Sequence, residues 1–229
     1  MSGRGGVRLD THGVRLDTHG VRLDTHGVWR ATWRARPHTC GVCAYPRRMR
    51  AGDLEVTPAI SLERLGEQHL GELAALTADP VVLRFTRVPD PPPEDFARSW
   101  LDRYLAGQLD GSCAGFAALS DDGGFLGVGV AMAIDREAGE LELGYIVAPG
   151  ARGRGVAGEI LRQLTAWAFD ELSAQRIVLF VDVENAASRR VAERGGYALE
   201  GVLRSLFIKP GIRRDTQLWS RLRSDDGRP

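Results

Sequence analysis

The chain is predicted to fold as an α+β domain with a mixed, mostly antiparallel central sheet flanked by helices. Two β-rich runs around the turn signal at residues 121–124 (DDGG) predict an antiparallel hairpin. Between residues 139 and 183, an alternating run, a glycine-rich turn, a helical pattern and a second β-rich run predict two parallel strands joined by a crossover helix. Because strands and helices alternate irregularly, the sheet is expected to be mixed.

Seven strands and four helices are predicted in order along this domain. The helices are recognised by apolar residues at helical spacing, as with Leu70, Leu73 and Leu76 in the first one. The second helix follows a proline-punctuated loop, residues 79–93, that contains a short helical turn. The predicted strands are 60–65, 112–119, 125–134, 139–147, 176–183, 197–206 and 216–222, and the predicted helices are 67–77, 94–106, the glycine-opened segment up to 172, and 185–194.

The glycine-rich turn before the long helix is the main candidate for a binding site. Residues 152–158 read RGRGVAG, and apolar residues then recur at helical spacing from Val156 to Leu172. The first turn of a helix has N–H groups without an intrahelical partner and carries about half a positive charge, so it favours an anion such as a phosphate. Glycine lets a diphosphate come close to the main chain, and Arg152 and Arg154 add cationic donors. The alternative is a turn that merely connects a strand to a helix.

Gly153, Gly155 and Gly158 also satisfy G-x-G-x-x-G, the fingerprint of dinucleotide-binding enzymes. The first strand of such a fold is buried on both faces, whereas Glu140 and Glu142 alternate with leucines here. The strand also ends several residues before the first glycine, and no carboxylate stands at the end of a next strand about 20 residues on. The sequence therefore disfavours a nicotinamide enzyme.

Arg152, Gly155 and Ala157 match the Q/R-x-x-G-x-G/A signature of the GNAT superfamily of N-acetyltransferases, which cradles the pyrophosphate of acetyl-CoA. The segments ELGYIVAPGARGRGVAGEIL, ENAASRRVAERGGYALEGVLR and RRDTQLWS resemble the branch of this family that contains ribosomal-protein N-terminal acetyltransferases. The resemblance covers residues 54–222. It implies a sheet with splayed central strands, acetyl-CoA as co-substrate, and transfer of an acetyl group to a primary amine by direct attack in a ternary complex.

The resemblance also implies which residues bind acetyl-CoA. Main-chain groups near Ile146 and Val147 are expected to bond the pantetheine arm and the thioester oxygen where the two central strands separate. Asn185 is expected to contact the same arm, although it also suits the N-cap of its helix, and the two roles can coexist. In the resembling branch a serine at the position of Ser188 assists the departing thiolate, and the same role is expected here. The expected cofactor-binding residues are Ile146, Val147, Arg152, Gly153, Arg154, Gly155, Val156, Ala157, Asn185 and Ser188.

The acid and base residues of the family do not transfer to this chain. Where many members place a tyrosine acid, the chain has Ala192, and Phe180 and Phe207 stand where some members have a glutamate. Glu142 is the remaining candidate for a general base, acting through a water molecule, and the alternative is a surface glutamate. Glu142 and Ser188 are thus the expected catalytic residues. The departures leave a second hypothesis open, a non-catalytic acyl-CoA-binding sensor or interaction module.

The first two helices and their loop are implied to form one wall of the acceptor pocket. Phe85, Arg87 and Trp100 are therefore candidates for contact with the acceptor, although each can equally be a packing or solvated residue. His69 is the single histidine in the predicted folded part, and it is expected to be solvated rather than catalytic.

Residues 1–52 are predicted to lie outside the folded domain. GVRLDTH occurs three times between Gly6 and His26, but glycine and only two apolar residues per repeat exclude a coiled-coil seam, so disorder is expected. The Arg-rich stretch that follows suggests either a misassigned start, with translation beginning at Met49, or a basic tail that contacts RNA. The predicted organisation is an extension at 1–52, an acetyltransferase domain at 53–224 and a tail at 225–229.

The distribution of charge constrains the partners. The 229 residues have a formal net charge of zero, but residues 1–50 carry 10 Arg and 3 Asp, while residues 51–229 carry 20 Lys+Arg and 27 Asp+Glu. An acidic folded part suits a cationic, amine-bearing substrate, either a small molecule or a protein N-terminus, and argues against nucleic acid.

The three cysteines, Cys40, Cys43 and Cys113, form no disulfide framework, which fits a reducing cytoplasm. Cys40 and Cys43 with His38 have the spacing of half a metal site, but no second pair of ligands exists, so no metal is predicted. No apolar run reaches the roughly 18 residues of a membrane span, and because the N-terminus has no apolar h-region, a secretory signal is not expected. A homodimer is compatible with the sequence.

Overall fold

The computed structural model describes residues 59–227, apart from the side chains of residues 207 and 208. The predicted extension at 1–52, with its repeats and the Cys40–Cys43 pair, lies outside the described residues. The following bounds apply within the described part. The strands are β1 (Ile60–Arg64), β2 (Ala114–Ser120), β3 (Phe125–Asp135), β4 (Glu140–Val147), β5 (Arg176–Asp182), β6 (Ala198–Lys209) and β7 (Ile212–Leu222), and the α-helices are α1 (Leu70–Thr77), α2 (Pro80–Phe85), α3 (Phe96–Asp110), α4 (Val156–Glu171) and α5 (Ala186–Arg194).

The seven strands form one sheet in the order β1-β2-β3-β4-β5-β7-β6. All neighbouring strands pair antiparallel except β4 and β5, which run parallel on either side of the α4 crossover. The predicted α+β fold with a mostly antiparallel sheet is therefore confirmed. A 3₁₀ turn, Arg223–Asp226, follows β7 and crosses the boundary predicted at residue 224.

The pairing between β4 and β5 is short. It joins Glu140 to Arg176, Leu141 to Ile177 and Glu142 to Val178, and then it stops. Beyond this point β4 stays paired with β3 up to Val147, and β5 stays paired with β7. A gap therefore opens between the carboxyl-terminal halves of β4 and β5, which confirms the splayed central strands implied by the family resemblance.

Apolar side chains pack on both faces of the sheet. Helix α4 covers one face with the fully buried Ile160, Leu164 and Phe169, and α1 and α3 cover the other with residues such as Leu73 and Leu101. Burial of one such side chain contributes roughly 1.5–3 kcal/mol, so these two layers hold the helices to the sheet.

The close packing of α4 depends on a glycine in β3. A Cβ at Gly129 would lie 2.7 Å from side-chain carbons of Ile160 and Leu164. Any larger residue at this position would therefore push α4 away from the sheet and move the loop that begins the helix.

The structure differs from the sequence predictions mainly at element ends. Strands β6 and β7 reach to within two residues of each other, because Lys209 pairs with Ile212 across the turn. The charged residues on this hairpin hide the strand pattern, so the prediction ended β6 early and began β7 late. Helix α3 likewise begins at Phe96 and continues to Asp110, beyond the predicted 94–106.

The prediction that His69 is solvated is wrong. The residue is only 5% exposed, and its Nε2 lies 2.9 Å from Glu63 Oε1 while its Nδ1 accepts a hydrogen bond from the Gly66 N–H. Its place beside the turn before α1 makes it a structural residue. Glu63 supplies the partner from β1, a contact that the local sequence does not reveal.

Arg176 closes the paired end of β4 and β5. Its Nε lies 3.1 Å from Glu140 Oε2 on β4, and its terminal nitrogens lie 2.5 and 2.7 Å from the two carboxylate oxygens of Glu200 on β6. The hydrogen bonds from Arg176, followed by one from Ser220, lower the pKa of Glu200 to about 2. One guanidinium thus ties three strands together at the end opposite the gap.

We expect Arg176→Gln to reduce the free energy of unfolding by about 0.5–1 kcal/mol at pH 7, a range set by the exposure of the pair to solvent. Because the pKa of Glu200 is lowered in the folded state, this stabilisation exists above the ordinary glutamate pKa of about 4.5 and disappears as the pH falls towards 2. Urea unfolding of the variant and the wild type at pH 7 and pH 3 measures the difference in free energy of unfolding, which should be smaller at pH 3. In a Glu200→Gln background the substitution should have a smaller effect, and an equal effect there would contradict the assignment.

Candidate active site

The loop between β4 and α4 has the backbone conformation of an anion-binding turn. Gly153 and Gly155 have φ angles of 73° and 79°, a left-handed region that favours glycine. No side chain caps the helix, and its first internal bond is donated by the Glu159 N–H to the Gly155 carbonyl. The N–H groups of Val156 and Ala157 therefore precede the first intrahelical donor and have no acceptor within the helix, and they lie beside an exposed loop. These features fit the diphosphate of a coenzyme A molecule.

Arg152 and Arg154 occupy different environments on this loop. The Arg152 guanidinium donates to Asp79 Oδ1 at 2.6 Å and to the Val147 carbonyl at 3.2 Å. The hydrogen bond from Arg152 is the main cause of a lowered pKa at Asp79. Arg154 is exposed. The contacts of Arg152 thus fix the loop to α2 and β4, whereas Arg154 remains at the surface beside the glycines.

The main chain of β4 presents polar groups to the gap. The Ala148 N–H donates to the Leu126 carbonyl, and the Ile146 carbonyl lies against Gly127 of β3. Successive residues of a strand direct their hydrogen-bonding groups to opposite sides, so the groups of Tyr145 and Val147 face the gap. Of the two residues predicted to contact the pantetheine arm, Val147 faces the gap with its main chain, while the main-chain groups of Ile146 face β3.

Two hydroxyl groups meet where α5 approaches β4. Asn185 caps α5 by accepting a hydrogen bond from the Ser188 N–H at 3.0 Å, as the N-cap alternative predicts. The Ser188 hydroxyl lies 2.7 Å from the hydroxyl of Tyr145. Burial raises the pKa of Tyr145 to about 12, which keeps this hydroxyl protonated at neutral pH. Ala192, at the position of the family's tyrosine, is fully buried.

The sequence analysis missed Tyr145 as a site residue. A weak signal was present, because Tyr145 shares its face of β4 with the buried Leu141 and Leu143. That alternation shows where the side chain points but not which residue it meets. Its partner on α5 lies 43 positions away along the chain.

Glu142 lies at the last paired position before the gap. Its side chain is 15% exposed, so it is not an ordinary surface glutamate, and Oε1 lies 3.3 Å from an Arg87 terminal nitrogen. It pairs across the sheet with Met132, which packs in the core under α1 and α3. Glu142 therefore belongs to the face opposite Tyr145 and Ser188.

The other candidates for contact with the acceptor lie near Glu142 or pack around it. The Arg87 guanidinium is 6.0 Å from the ring of Phe180 on β5. Trp100 packs edge to face on the buried Tyr104 at 5.2 Å between ring centroids, and Phe85 is half-buried next to the Arg84 guanidinium. Of these side chains, Arg87 is the one that reaches the start of the gap.

Comparison with known proteins places this geometry in a family. Residues 60–198 match the family described as acetyltransferase (GNAT) domain. The chain belongs to the GNAT acetyltransferase family. It is 30% identical over 172 residues to YdaF of Bacillus subtilis, a protein provisionally named as a ribosomal N-acetyltransferase, with coverage of 71% of this chain and 86% of YdaF. The predicted resemblance to the ribosomal branch is thus confirmed.

Solved structures show the same fold. Spermidine N-acetyltransferase from Vibrio cholerae, in complex with CoA and spermine, superposes with a TM-score of 0.65 at 22% identity, over 72% of this chain and 96% of that protein. RimL, a ribosomal L7/L12 α-N-protein acetyltransferase in complex with CoA, gives a TM-score of 0.66 at 20% identity, over 71% of this chain and 93% of RimL.

GNAT membership confirms the predictions that the chain is an N-acetyltransferase and that acetyl-CoA is its co-substrate. The disfavoured alternative, a nicotinamide enzyme, has no support in the fold, because β4 is not buried on both faces. Among the described residues, the structure contains no helix long and apolar enough to cross a membrane.

We expect Gly155→Glu to weaken CoA binding by about 100-fold or more, because a carboxylate would face the diphosphate and like charges in contact cost several kcal/mol. Calorimetric titration with CoA measures the change. Gly71→Glu is a matched control, since it adds the same side chain to an exposed helix with open space.

Gly155→Ala separates charge from backbone strain. It carries the strain of a positive φ, about 1–2 kcal/mol, without the negative charge. CoA binding by this variant should be reduced far less than by Gly155→Glu. Unchanged affinity in Gly155→Glu would remove the phosphate assignment.

Proposed function

We propose that this protein is a cytoplasmic, acetyl-CoA-dependent N-acetyltransferase that acetylates a primary amine by direct attack in a ternary complex. The observation that carries the proposal is the gap between β4 and β5. It has an uncapped, glycine-started helix at its open end and the carboxylate of Glu142 at its closed end. The acceptor classes are a protein N-terminus, an amino acid, a polyamine or an amine antibiotic.

In this proposal the loop and the gap hold acetyl-CoA. The loop Gly153–Gly155 and the N–H groups of Val156 and Ala157 receive the diphosphate, with Arg154 beside them. The pantetheine arm lies along the gap, where the Val147 N–H and the side-chain amide nitrogen of Asn185 can donate to it; the Val147 carbonyl and Asn185 Oδ1 already accept from Arg152 and Ser188. Arg152 acts by positioning the loop through Asp79.

The chemistry requires a base, an oxyanion donor and an acid. Glu142 accepts the proton of the incoming ammonium, directly or through water, so that the free amine can attack the thioester carbonyl. The new C–N bond forms, and a main-chain N–H that faces the gap stabilises the oxyanion. The C–S bond then breaks, the amide nitrogen releases its second proton to solvent, and Ser188 protonates the departing thiolate. Tyr145 returns a proton to Ser188 and regains one from solvent. Base and acid thus work from opposite faces of the sheet.

The acceptor is proposed to be cationic. The acidic balance of residues 51–229 supports this class, as does a carboxylate at the start of the gap. YdaF is named for ribosomal protein acetylation, and the Vibrio cholerae enzyme acts on spermidine, so both a protein N-terminus and a polyamine belong in the first screen.

A homodimer is compatible with the exposed Leu199, Val202 and Leu203 on edge strand β6, and the Vibrio cholerae enzyme has a dodecameric form.

We expect Glu142→Gln to lower kcat by about 10²- to 10⁴-fold, because the amide cannot accept the proton. Release of free CoA thiol in the presence of a panel of amines measures turnover. Glu140→Gln is the matched control, since Glu140 lies two residues earlier on the same strand and precedes the gap. Equal activity of Glu142→Gln and the wild type would remove Glu142 as base.

The sensor hypothesis makes a different forecast for the same assay. It is motivated by Ala192 and Phe180, which stand where other family members carry acid or base residues. Tight CoA binding by the wild-type protein, together with no thiol release for any amine, would favour the sensor over the enzyme.

We expect Tyr145→Phe to lower kcat by about tenfold with little change in KM. Ser188 would lose the hydroxyl that orients it and that returns a proton to it. Tyr197→Phe is the matched control. It removes another buried tyrosine hydroxyl on the same face, which lies 2.7 Å from Thr165 and not at Ser188. Equal losses in the two variants would indicate a packing effect instead.

A further inference from the structure

Arg87 occupies the position next to Glu142 that the amine of an acceptor requires. Its guanidinium lies 3.3 Å from the Glu142 carboxylate on β4 and 6.0 Å from the Phe180 ring on β5, so it bridges the two strands where their pairing ends. Within residues 59–227, no other hydrogen bond to this carboxylate is seen. The one base candidate of the gap is therefore covered by a cation from the loop between α2 and α3.

The backbone around Arg87 is anchored. Lys209 on β6 donates to the carbonyl of Leu83 and, at 3.0 Å, to that of Val88. Val88 is buried, and the Thr86 N–H donates to the Val82 carbonyl. The main chain on both sides of Arg87 is thus held against the sheet.

The Arg87 side chain is held much less firmly. It is 55% exposed and contacts Glu142 through one long hydrogen bond instead of a bidentate pair. Water competes for the exposed guanidinium, so its release costs less than that of a buried partner. Rotation about the arginine side-chain bonds can therefore release Glu142 without moving the loop.

We propose that Arg87 is a displaceable cation: it neutralises Glu142 in the absence of acceptor, and the acceptor's ammonium group replaces it. This inference rests on the proposed function, since it assigns the acceptor amine to Glu142. The exchange substitutes one ion pair for another, so the partly buried carboxylate is never left without a cation, which would be costly. Neutral molecules cannot make the exchange, and the site therefore selects aliphatic ammonium groups.

The competition has a measurable consequence. Every acceptor must displace the guanidinium before it binds, which weakens its apparent affinity. Removing the Arg87 charge should lower KM for the acceptor about two- to fivefold, the range expected for a mostly exposed ion pair. Turnover at saturating acceptor should stay the same, because Arg87 leaves Glu142 before the reaction.

The test compares Arg87→Gln with the wild type and with Arg84→Gln. Arg84 is a matched control, because it is an exposed arginine on α2 whose partner is Glu184, away from Glu142. KM and kcat are measured for the best amine in the panel, and binding of spermidine to the CoA-loaded protein is measured by calorimetry. The inference requires lower KM and tighter binding in Arg87→Gln, unchanged values in Arg84→Gln, and no effect of Arg87→Gln on binding in a Glu142→Gln background.

Two results would overturn the inference. A higher KM, or a lower kcat with KM unchanged, would mean that Arg87 binds the acceptor or orients Glu142. Unchanged affinity in Arg87→Gln would mean that the guanidinium does not compete. If the wild type acetylates no amine, the proposed function fails, and the calorimetric comparison still decides whether Arg87 competes with a cation for Glu142.

Discussion

The short ladder between β4 and β5 is the constraint on which the rest of the site depends. Three residue pairs hold the two strands together, and Arg176 closes that end through Glu140 and Glu200. Beyond the ladder each strand keeps its outer partner, so the sheet stays continuous on both sides while its centre opens. Main-chain polar groups of β4 are left facing this opening. Such groups need partners, and an extended ligand with amide groups can supply them.

The alternation of side chains along β4 distributes the chemistry between two faces. Leu141, Leu143 and Tyr145 point towards α4 and α5, whereas Glu142 and Ile146 point towards α1 and α3. In the proposed mechanism the amine approaches from the face of Glu142, and the thiolate departs on the face of Ser188. This separation suits a direct transfer, because the entering and leaving groups do not compete for the same space or for the same proton donor.

Local patterns in the sequence were sufficient to predict the features that neighbouring residues determine. The glycine-started helix, the hairpin after β2 and the cap at Asn185 each depend on a few adjacent positions. Long-range contacts could not be predicted in this way. Tyr145 meets Ser188, and Arg152 meets Asp79 across 73 positions. The predicted lengths of β6 and β7 were too short, because strand pairing, and not an apolar pattern, holds the charged residues of this hairpin in strands.

Asp79 has two roles that connect the two halves of the site. It caps α2 by accepting from the Val81 and Val82 N–H groups, and it receives the Arg152 guanidinium from the glycine-rich loop. The helix that precedes Arg87 and the loop assigned to the diphosphate thus share one carboxylate. Because both elements bond to Asp79, a displacement of one shifts the other. In the proposed function these two elements receive the two substrates, so any effect of one substrate on the affinity for the other is reciprocal and has the same factor.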